Sequence, residues 1–276
     1  NKKSIADIAF GHSKHQFMNE VISGALSADI MDYLLRDGYF TGAEHAKIDH
    51  KRLTYSLDVY KNQLALDKSA LVNFETMIIS RYQMFKAVYF HKTVRAGEVM
   101  LLEAMRLAED ELGLSSLDLD EFLKLSDETV ITKLLNLPEH NSKLRASKKI
   151  AIDYLNRNLF KCVFERTISS TNTISAKITE ELKERIAKKV NTEPNQIHLD
   201  TSTTHSIPMT PTNKESKSVI LITKDPKVNA EEFLISNIPL VSSMSGKMNI
   251  LRVYTQKINR KKVEIAAKSI LGDLKL

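Results

Sequence analysis

Ser27-Ala-Asp-Ile-Met-Asp-Tyr-Leu-Leu-Arg-Asp-Gly-Tyr-Phe-Thr-Gly42 is the most informative segment of the sequence, because it combines helix boundaries with a regular polar pattern. Serine is favoured as a helix N-cap, glycine is common where a helix ends, and the ten residues between Ser27 and Gly38 include no proline or glycine. The segment therefore predicts a helix of about three turns that ends at Gly38.

The predicted helix carries a polar stripe. Asp29, Tyr33 and Asp37 stand at i, i+4 and i+8, so each drifts only about 40° around the axis from the one before. Apolar residues fill most of the other positions, which favours burial of the rest of the helix. A polar stripe on a buried helix needs partners, and this indicates a candidate site. A structural ion-pair network within the helix explains the same spacing equally well.

The order of residues in this segment resembles the "DADRMDYLLRDSYFTG" segment of the HD-domain deoxynucleoside triphosphate (dNTP) triphosphohydrolases. The resemblance implies that Asp29 is a catalytic residue that ligates a divalent metal ion, namely Mg, Mn, Fe or Zn. It also implies that Tyr33 and Asp37 bind substrate, at a phosphate and at the sugar 3′-hydroxyl. The other metal ligands of that family are a histidine and an adjacent His-Asp pair. This sequence contains only the reverse order, Asp49-His50, so we expect it to be part of a longer protein.

A second motif lies in a stretch of helical periodicity that begins at Lys68. Arg81, Phe85 and Tyr89 stand at i, i+4 and i+8, and a guanidinium suits phosphate oxygens while the rings could flank a sugar or base. Core rings beside an arginine that pairs within its own helix are the alternative. The segment is similar to the "R-x(7)-Y-x-H-K" element of the same family. That similarity implies that Arg81 is a catalytic residue that holds phosphate and that Tyr89 faces the deoxyribose.

Two positions depart from the vertebrate members of the family. Ile30 stands where they have a phosphate-binding lysine, and Phe85 stands where they have a histidine. These departures bear on substrate preference more than on the fold.

A third segment, Asp153 to Cys162, resembles the family's "YRNLFK" element. In vertebrate members this element helps to bind activating nucleotides between subunits. The resemblance therefore implies a regulatory nucleotide site, whose matching residues are His91, Lys92, Arg157, Leu159 and Lys161. A basic strand edge without a ligand is the alternative.

Composition bounds the class of protein. The chain has 276 residues, of which 42% are hydrophobic and 27% charged, as expected for a globular protein with a sizeable core. Only 8 glycines and 6 prolines favour helices over an all-β fold. The single Cys162 excludes an internal disulfide and suits a reducing compartment. Neither a membrane-spanning apolar run nor a signal peptide is visible, so we predict a cytoplasmic protein without membrane partners.

The predicted fold class is mainly α, with an HD-type helical domain over residues 1–162 and a small α+β lobe over residues 163–276. Short-range patterns predict the individual elements. They are a hairpin within 49–66 that turns at Lys61-Asn62, a long helix from 68 that is broken near Thr93 or Gly97, a helix over 178–190, an exposed loop over 201–218, strands over 218–223 and 251–256, and a helix over 263–271.

Two functions of different class remain. The first is metal-dependent hydrolysis of a dNTP substrate to deoxynucleoside and triphosphate by a homo-oligomer, a dimer or tetramer, with an activating nucleotide as a further partner. The second is a non-catalytic relative that binds nucleotides or nucleic acid. Residues 249–276 carry a net charge of 7 − 2 = +5, which a nucleic acid or a bridging nucleotide could neutralise.

Overall fold

The computed structural model describes residues 2–168, 175–205, 218–223, 231–234 and 247–272. Its helices and strands alternate irregularly along the chain, with most strands in the second half. In order they are α1 Lys2–Ala9, α2 Gln16–Ser23, α3 Ala28–Thr41, α4 His50–Tyr55, β1 Leu57–Tyr60, β2 Gln63–Asp67, α5 Leu71–Met84, a π-helical segment Phe85–Tyr89, α6 Lys92–Leu112, α7 Leu119–Phe122, α8 Asp127–Leu135, α9 Ser142–Leu155, β3 Lys161–Ile168, α10 Ala176–Val190, β4 Ile197–His205, β5 Ser218–Ile222, β6 Glu231–Leu234, β7 Lys247–Thr255 and α11 Arg260–Leu271. The predicted fold class, mainly α with small sheets, is confirmed.

The chain forms two compact units. Unit 1 comprises Asn1–Phe90 and Thr203–Met248, and unit 2 comprises His91–Ser202 and Asn249–Leu276. The division into 1–162 and 163–276 stays a prediction, since these units follow a different partition of the chain. No helix among the described residues is long and apolar enough to cross a membrane.

Unit 1 packs its helices around a core that includes Leu34, Leu53, Phe74 and Met77, all fully buried. A four-stranded sheet, in the order β1-β2-β5-β6, adds Leu66 and its neighbours to this core. The pairing of β2 with β5 is parallel, and the two outer pairings are antiparallel. Helix α3 and helix α5 contribute buried faces to the same core, which fixes both helices in one unit.

The prediction that α3 ends at Gly38 is wrong. The helix continues to Thr41 and ends at Gly42, whose φ of 69° is the left-handed conformation that favours glycine. Gly38 is buried, and a Cβ placed there would lie 2.5 Å from the Cβ of Ala46. Gly38 is therefore explained by close packing of the segment around Ala46 against α3.

The predicted hairpin is confirmed only in its second part. Strands β1 and β2 pair around Lys61 and Asn62, whose φ values of 46° and 66° suit a tight hairpin turn. Residues 50–55 form α4 instead of a strand, because the Asp49 side chain accepts a hydrogen bond from the Arg52 backbone N–H at 2.9 Å and caps the helix.

The long helix is interrupted near Thr93, the first of the two predicted positions, and not at Gly97. Helix α5 ends at Met84, the π-helical segment follows, and α6 starts at Lys92, so the break falls at Phe90 and His91. Gly97 lies inside α6 and is buried against Tyr154. The predicted break near Thr93 is therefore confirmed, and the alternative at Gly97 is wrong.

Unit 2 contains a three-stranded sheet in the order β3-β7-β4, with α10 and α11 packed on it. Its core includes Ile186, Ile197, Leu251 and Val253, all fully buried. Helices α6, α8 and α9 form a second core cluster around Met100. The predicted strands and helices after residue 178 are confirmed as β5, β7, α10 and α11.

The predicted loop over 201–218 is wrong at its start, because β4 extends to His205. Residues 206–217 of that prediction lie outside the described part of the chain.

Candidate functional site

Helix α3 presents the polar stripe along the border between core and solvent. The Ser27 hydroxyl caps the helix by accepting a hydrogen bond from the Ile30 backbone N–H at 3.3 Å. Ile30 and Leu34 are buried in the core of unit 1, whereas Asp29 is exposed and Tyr33 is half-buried. The polar stripe therefore begins in solvent and continues toward the interior of unit 1.

The end of α5 supplies the second wall of the site through a change in helical geometry. The Phe90 backbone N–H donates to the Phe85 carbonyl at 2.7 Å, a bond five residues back along the chain. This wider π-helical turn is often found at functional sites. It places the ring of Tyr89 4.9 Å from the ring of Phe85, edge to face. The turn therefore brings the two aromatic residues of the second motif together.

Hydrogen bonds and ring contacts join the two motifs. The Tyr89 hydroxyl donates to Asp37 Oδ2 at 2.7 Å. The rings of Tyr33 and Tyr89 meet edge to face at 6.1 Å, and the Arg81 side chain donates a hydrogen bond to the Tyr33 hydroxyl. Four of the residues singled out in the sequence thus form one contiguous cluster in unit 1.

Phe85 supports the arginine of this cluster. The central carbon of the Arg81 guanidinium lies 4.5 Å from the centre of the Phe85 ring, a cation–π geometry. Phe85 also contacts a second aromatic ring, because the centres of the Phe85 and Phe90 rings are 5.6 Å apart. The guanidinium of Arg81 therefore packs on the face of the Phe85 ring.

Burial sets the protonation of the two phenols. Burial raises the pKa of Tyr33, and the neighbouring Arg81 opposes that rise. Burial also raises the pKa of Tyr89, and the hydrogen bond to Asp37 adds to the rise because ionised Tyr89 would face a carboxylate. Both hydroxyls therefore stay protonated at neutral pH, and Tyr89 remains a donor to Asp37.

Asp29 stands apart from this cluster of hydrogen bonds. It is exposed in the first turn of α3, and its charge acts on Tyr33. Across the described ranges there is no group of three or more His, Cys, Asp or Glu side chains that could hold a metal ion. Asp29 is thus at most one ligand, and the described residues do not by themselves fit a divalent ion, which needs several such ligands.

Arg36, which was not among the predicted site residues, lies beside the stripe. Its Nη1 pairs with Asp32 Oδ2 at 2.9 Å and its Nε lies 3.8 Å from Asp37 Oδ1. The spacing of Asp32 and Arg36 at i and i+4 was the available signal. The alternative of an ion-pair network within α3 therefore describes Asp32 and Arg36, while Asp37 also binds Tyr89 from outside the helix.

Unit 2 contains the other group of residues singled out in the sequence. Lys92, Arg157, Leu159 and Lys161 line one cavity of about 780 Å³, together with Arg260. Arg157 adopts a φ of 56°, which is uncommon for a residue with a side chain. This cavity brings together cationic side chains from α6, from the turn after α9, from β3 and from α11.

His91 is not among the residues that line this cavity. It precedes α6, and its Nδ1 accepts a hydrogen bond from the Thr93 backbone N–H at 3.3 Å, so it acts as a helix cap.

The basic patch of residues 249–276 needs a correction. Arg252 is only 3% exposed and its Nε donates to Glu165 at 2.6 Å, so it belongs to the interior of unit 2. Lys275 lies outside the described residues. The exposed cations that remain, Lys257, Arg260, Lys261, Lys262 and Lys268, are on or next to α11.

Residues 48–275 match the model of the HD-associated-region family, and the chain therefore belongs to this family of HD-domain proteins. The match includes α5, the π-helical segment and unit 2, whereas α3 precedes it.

Two curated relatives are similar to the chain in sequence. The chain is 29% identical over 171 residues to an uncharacterized protein of Methanocaldococcus jannaschii, covering 60% of this chain and 35% of that protein. It is 32% identical over 169 residues to a Dictyostelium discoideum protein named deoxynucleoside triphosphate triphosphohydrolase SAMHD1 homolog, covering 60% of this chain and 32% of that protein. The chain thus spans about a third of the length of these curated relatives.

Two solved structures share the fold. A phosphohydrolase from Bacteroides thetaiotaomicron superposes with a TM-score of 0.66 at 21% identity, covering 91% of this chain and 66% of that one. A hypothetical protein from Aquifex aeolicus superposes with a TM-score of 0.70 at 23% identity, covering 97% of this chain and 65% of that one. At these identities the likeness concerns the fold alone.

Proposed function

We propose that the protein to which this chain belongs hydrolyses deoxynucleoside triphosphates to deoxynucleoside and triphosphate. The observation that carries the proposal is the cluster in which Arg81 is hydrogen-bonded to Tyr33, the Tyr33 ring contacts the Tyr89 ring, and Tyr89 is hydrogen-bonded to Asp37. Such a cluster offers a cation for phosphate beside hydroxyl and carboxylate groups that suit a sugar. The Dictyostelium discoideum relative is named as a deoxynucleoside triphosphate triphosphohydrolase, which supports the same substrate class.

Each residue of the cluster has a distinct role in this proposal. Arg81 binds phosphate and stabilises the negative charge that develops on the leaving triphosphate. Phe85 holds the guanidinium of Arg81 in position by packing its ring against it. Asp37 accepts a hydrogen bond from the sugar 3′-hydroxyl, and Tyr89, held by its bond to Asp37, packs its ring against the deoxyribose. Tyr33 adds a hydroxyl that binds phosphate beside Arg81.

Asp29 is proposed as one ligand of a catalytic metal ion. Because the described residues do not complete a metal site, the remaining ligands in this proposal come from another part of the protein. A divalent ion held there would activate a water molecule and neutralise phosphate charge.

The proposal is tested on the intact protein by measuring triphosphate release from dGTP with Mn²⁺ or Mg²⁺, together with metal content. Asp29→Ala is expected to abolish release and to lower metal content. Arg81→Ala is expected to lower kcat/KM by about 100-fold, the size of effect seen when one donor to a developing charge is removed. Arg52→Ala is the matched control, since Arg52 is an exposed arginine of unit 1 whose partner is Ser69, and it should retain activity.

A preparation that binds dGTP but releases no triphosphate with any divalent metal would overturn the proposal. That outcome would favour the second function, a nucleotide-binding protein without catalysis.

The cavity of unit 2 supports a regulatory role within the same proposal. Its four cations, Lys92, Arg157, Lys161 and Arg260, suit the phosphates of an activating nucleotide. In this proposal the nucleotide binds there and favours assembly into a dimer or tetramer. Sedimentation with and without dGTP tests it, and Arg157→Ala with Lys161→Ala should remove any nucleotide-dependent assembly. Assembly that is unchanged by both substitutions would contradict the regulatory role.

A further inference from the structure

We infer that Arg36 is a second phosphate-binding arginine, which exchanges its partner Asp32 for the phosphates of a bound nucleotide. The inference rests on the proposed function, because it names a further substrate-binding residue of the same site.

Arg36 lies on the same side of α3 as Asp29. The two residues are seven positions apart, which is about two turns and returns the helix to within about 20° of the same direction. Side chains on a helix lean toward its N-terminus, and the 2.9 Å contact of Arg36 Nη1 with Asp32 shows that this one does. The guanidinium is thus displaced along α3 toward Asp29, the residue proposed to hold the metal.

Arg36 and Arg81 lie next to different members of the polar stripe. Arg36 Nε is 3.8 Å from Asp37 Oδ1, and the other oxygen of the same carboxylate accepts the Tyr89 hydroxyl. Arg81, from α5, contacts Tyr33, and Tyr33 lies one turn before Asp37 on α3. A ligand with several phosphates lying along Tyr33 and Asp37 would therefore have one guanidinium on the α5 side and another on the solvent side.

Charge balance favours such a second cation. The exposed side of α3 carries the carboxylates of Asp29, Asp32 and Asp37, which repel a polyphosphate. Arg36 is placed between Asp32 and Asp37, so it reduces this repulsion as well as offering donors of its own.

The pair with Asp32 can be exchanged at little cost. The Arg36 side chain is 54% exposed and that of Asp32 is 63% exposed, and solvated ion pairs of this kind contribute little to stability. A guanidinium binds phosphate oxygens with two parallel hydrogen bonds, whereas this pair has one contact at hydrogen-bond distance. Phosphate is therefore the stronger partner once it is present.

The test compares four variants of the intact protein, using dGTP in kinetics and inorganic tripolyphosphate in binding measurements. Arg36→Ala is expected to raise the KM for dGTP about tenfold with a smaller change in kcat, as for loss of a hydrogen bond to a charged group. Arg36→Lys should restore part of that loss. Asp32→Asn should lower KM about threefold, since it releases Arg36 from a weak competitor.

Lys47→Ala is the matched control. Lys47 is a cation of unit 1 in an exposed pair with Glu44 at 3.9 Å, so its removal changes net charge equally while KM should stay unchanged. Deoxyguanosine, which lacks phosphates, should bind Arg36→Ala and the unchanged protein equally well.

The outcomes separate this inference from the proposed function. If the protein releases triphosphate and Arg36→Ala leaves both KM and tripolyphosphate binding unchanged, the role of Arg36 is overturned and the proposed function stands. If the protein releases no triphosphate but Arg36→Ala weakens tripolyphosphate binding, the proposed function falls and the phosphate-binding role of Arg36 stands.

Discussion

Tyr89 and Asp37 are 52 residues apart in sequence, yet the Tyr89 hydroxyl donates a 2.7 Å hydrogen bond to Asp37 Oδ2. The bond ties the π-helical segment to α3 and orients both side chains toward the same site. Because burial raises the pKa of Tyr89, the hydroxyl keeps its proton through neutral and mildly alkaline pH. Tyr89 therefore keeps its ability to donate to Asp37 under ordinary conditions.

Removing this bond should weaken substrate binding. Tyr89→Phe leaves the ring in place but removes the hydroxyl that donates to Asp37. The Asp37 carboxylate is then free to rotate, so it binds the sugar 3′-hydroxyl less well. We expect KM for dGTP to rise about tenfold, as for loss of one hydrogen bond to a charged group. Tyr82→Phe, in the preceding helix α5, is the control and should leave KM unchanged. Equal KM values for the two variants would contradict the role given to Tyr89.

Acid should destabilise the protein through His198. Burial lowers the pKa of this residue from 6.5 to about 4, and its ring stacks on Phe160 at 4.6 Å. Between those pH values the unfolded chain binds a proton that the folded chain does not, so stability falls as the pH decreases from 6.5 to 4. The loss attributable to His198 is about 3 kcal/mol over that window.

Guanidinium unfolding from pH 4 to 7 measures this effect. His198→Phe should flatten the dependence relative to the unchanged protein, whereas His140→Gln, at an exposed histidine, should leave it as it was. A pH dependence that survives His198→Phe in full would show that other groups cause it.

Breaking the buried ion pair of unit 2 should cost more than breaking an exposed one. Arg95 Nε donates to Asp200 Oδ2 at 3.1 Å, and the side chains are only 18% and 6% exposed. Asp200→Ala leaves Arg95 with Glu98, a more exposed partner, so we expect a loss of about 1.5–3 kcal/mol in the free energy of unfolding.

Asp110→Ala is the comparison for that measurement. Its carboxylate is 85% exposed and pairs with Lys143 at 3.3 Å, so denaturant unfolding should show a change within about 0.5 kcal/mol. Similar losses in the two variants would refute the ranking by burial.

Gly38 is expected to be required by packing. Gly38→Ala would place a Cβ 2.5 Å from that of Ala46, and such overpacking costs about 1–3 kcal/mol despite the better helix propensity of alanine. The double variant with Ala46→Gly removes the clashing methyl. Its loss in the free energy of unfolding should therefore be smaller than the sum of the losses in the two single variants. Strict additivity in denaturant unfolding would show that the contact is not the cause.

Local sequence accounts for much of the fold. Ser27 caps α3 as its residue type predicts, Lys61 and Asn62 form the hairpin turn, and the apolar periodicity locates α10 and α11. These features depend on interactions within a few residues, which is why they can be predicted without the tertiary structure. The assignment of Gly38 as a helix end was wrong, since distant packing outweighed the local pattern, and the predicted hairpin is shorter than its 49–66 range because Asp49 caps α4.

For the site, too, some features follow from local sequence and others depend on the tertiary structure. The sequence by itself determined which residues lie on one face of α3, since helical periodicity alone places Asp29, Tyr33 and Asp37 together. Only the tertiary structure decided that Tyr89 meets Asp37, that Arg81 lies on Phe85 and that the helix widens to a π-turn between them. Those contacts depend on how α3 and α5 pack into the core of unit 1, and the free energy of that packing comes from residues far apart in the chain.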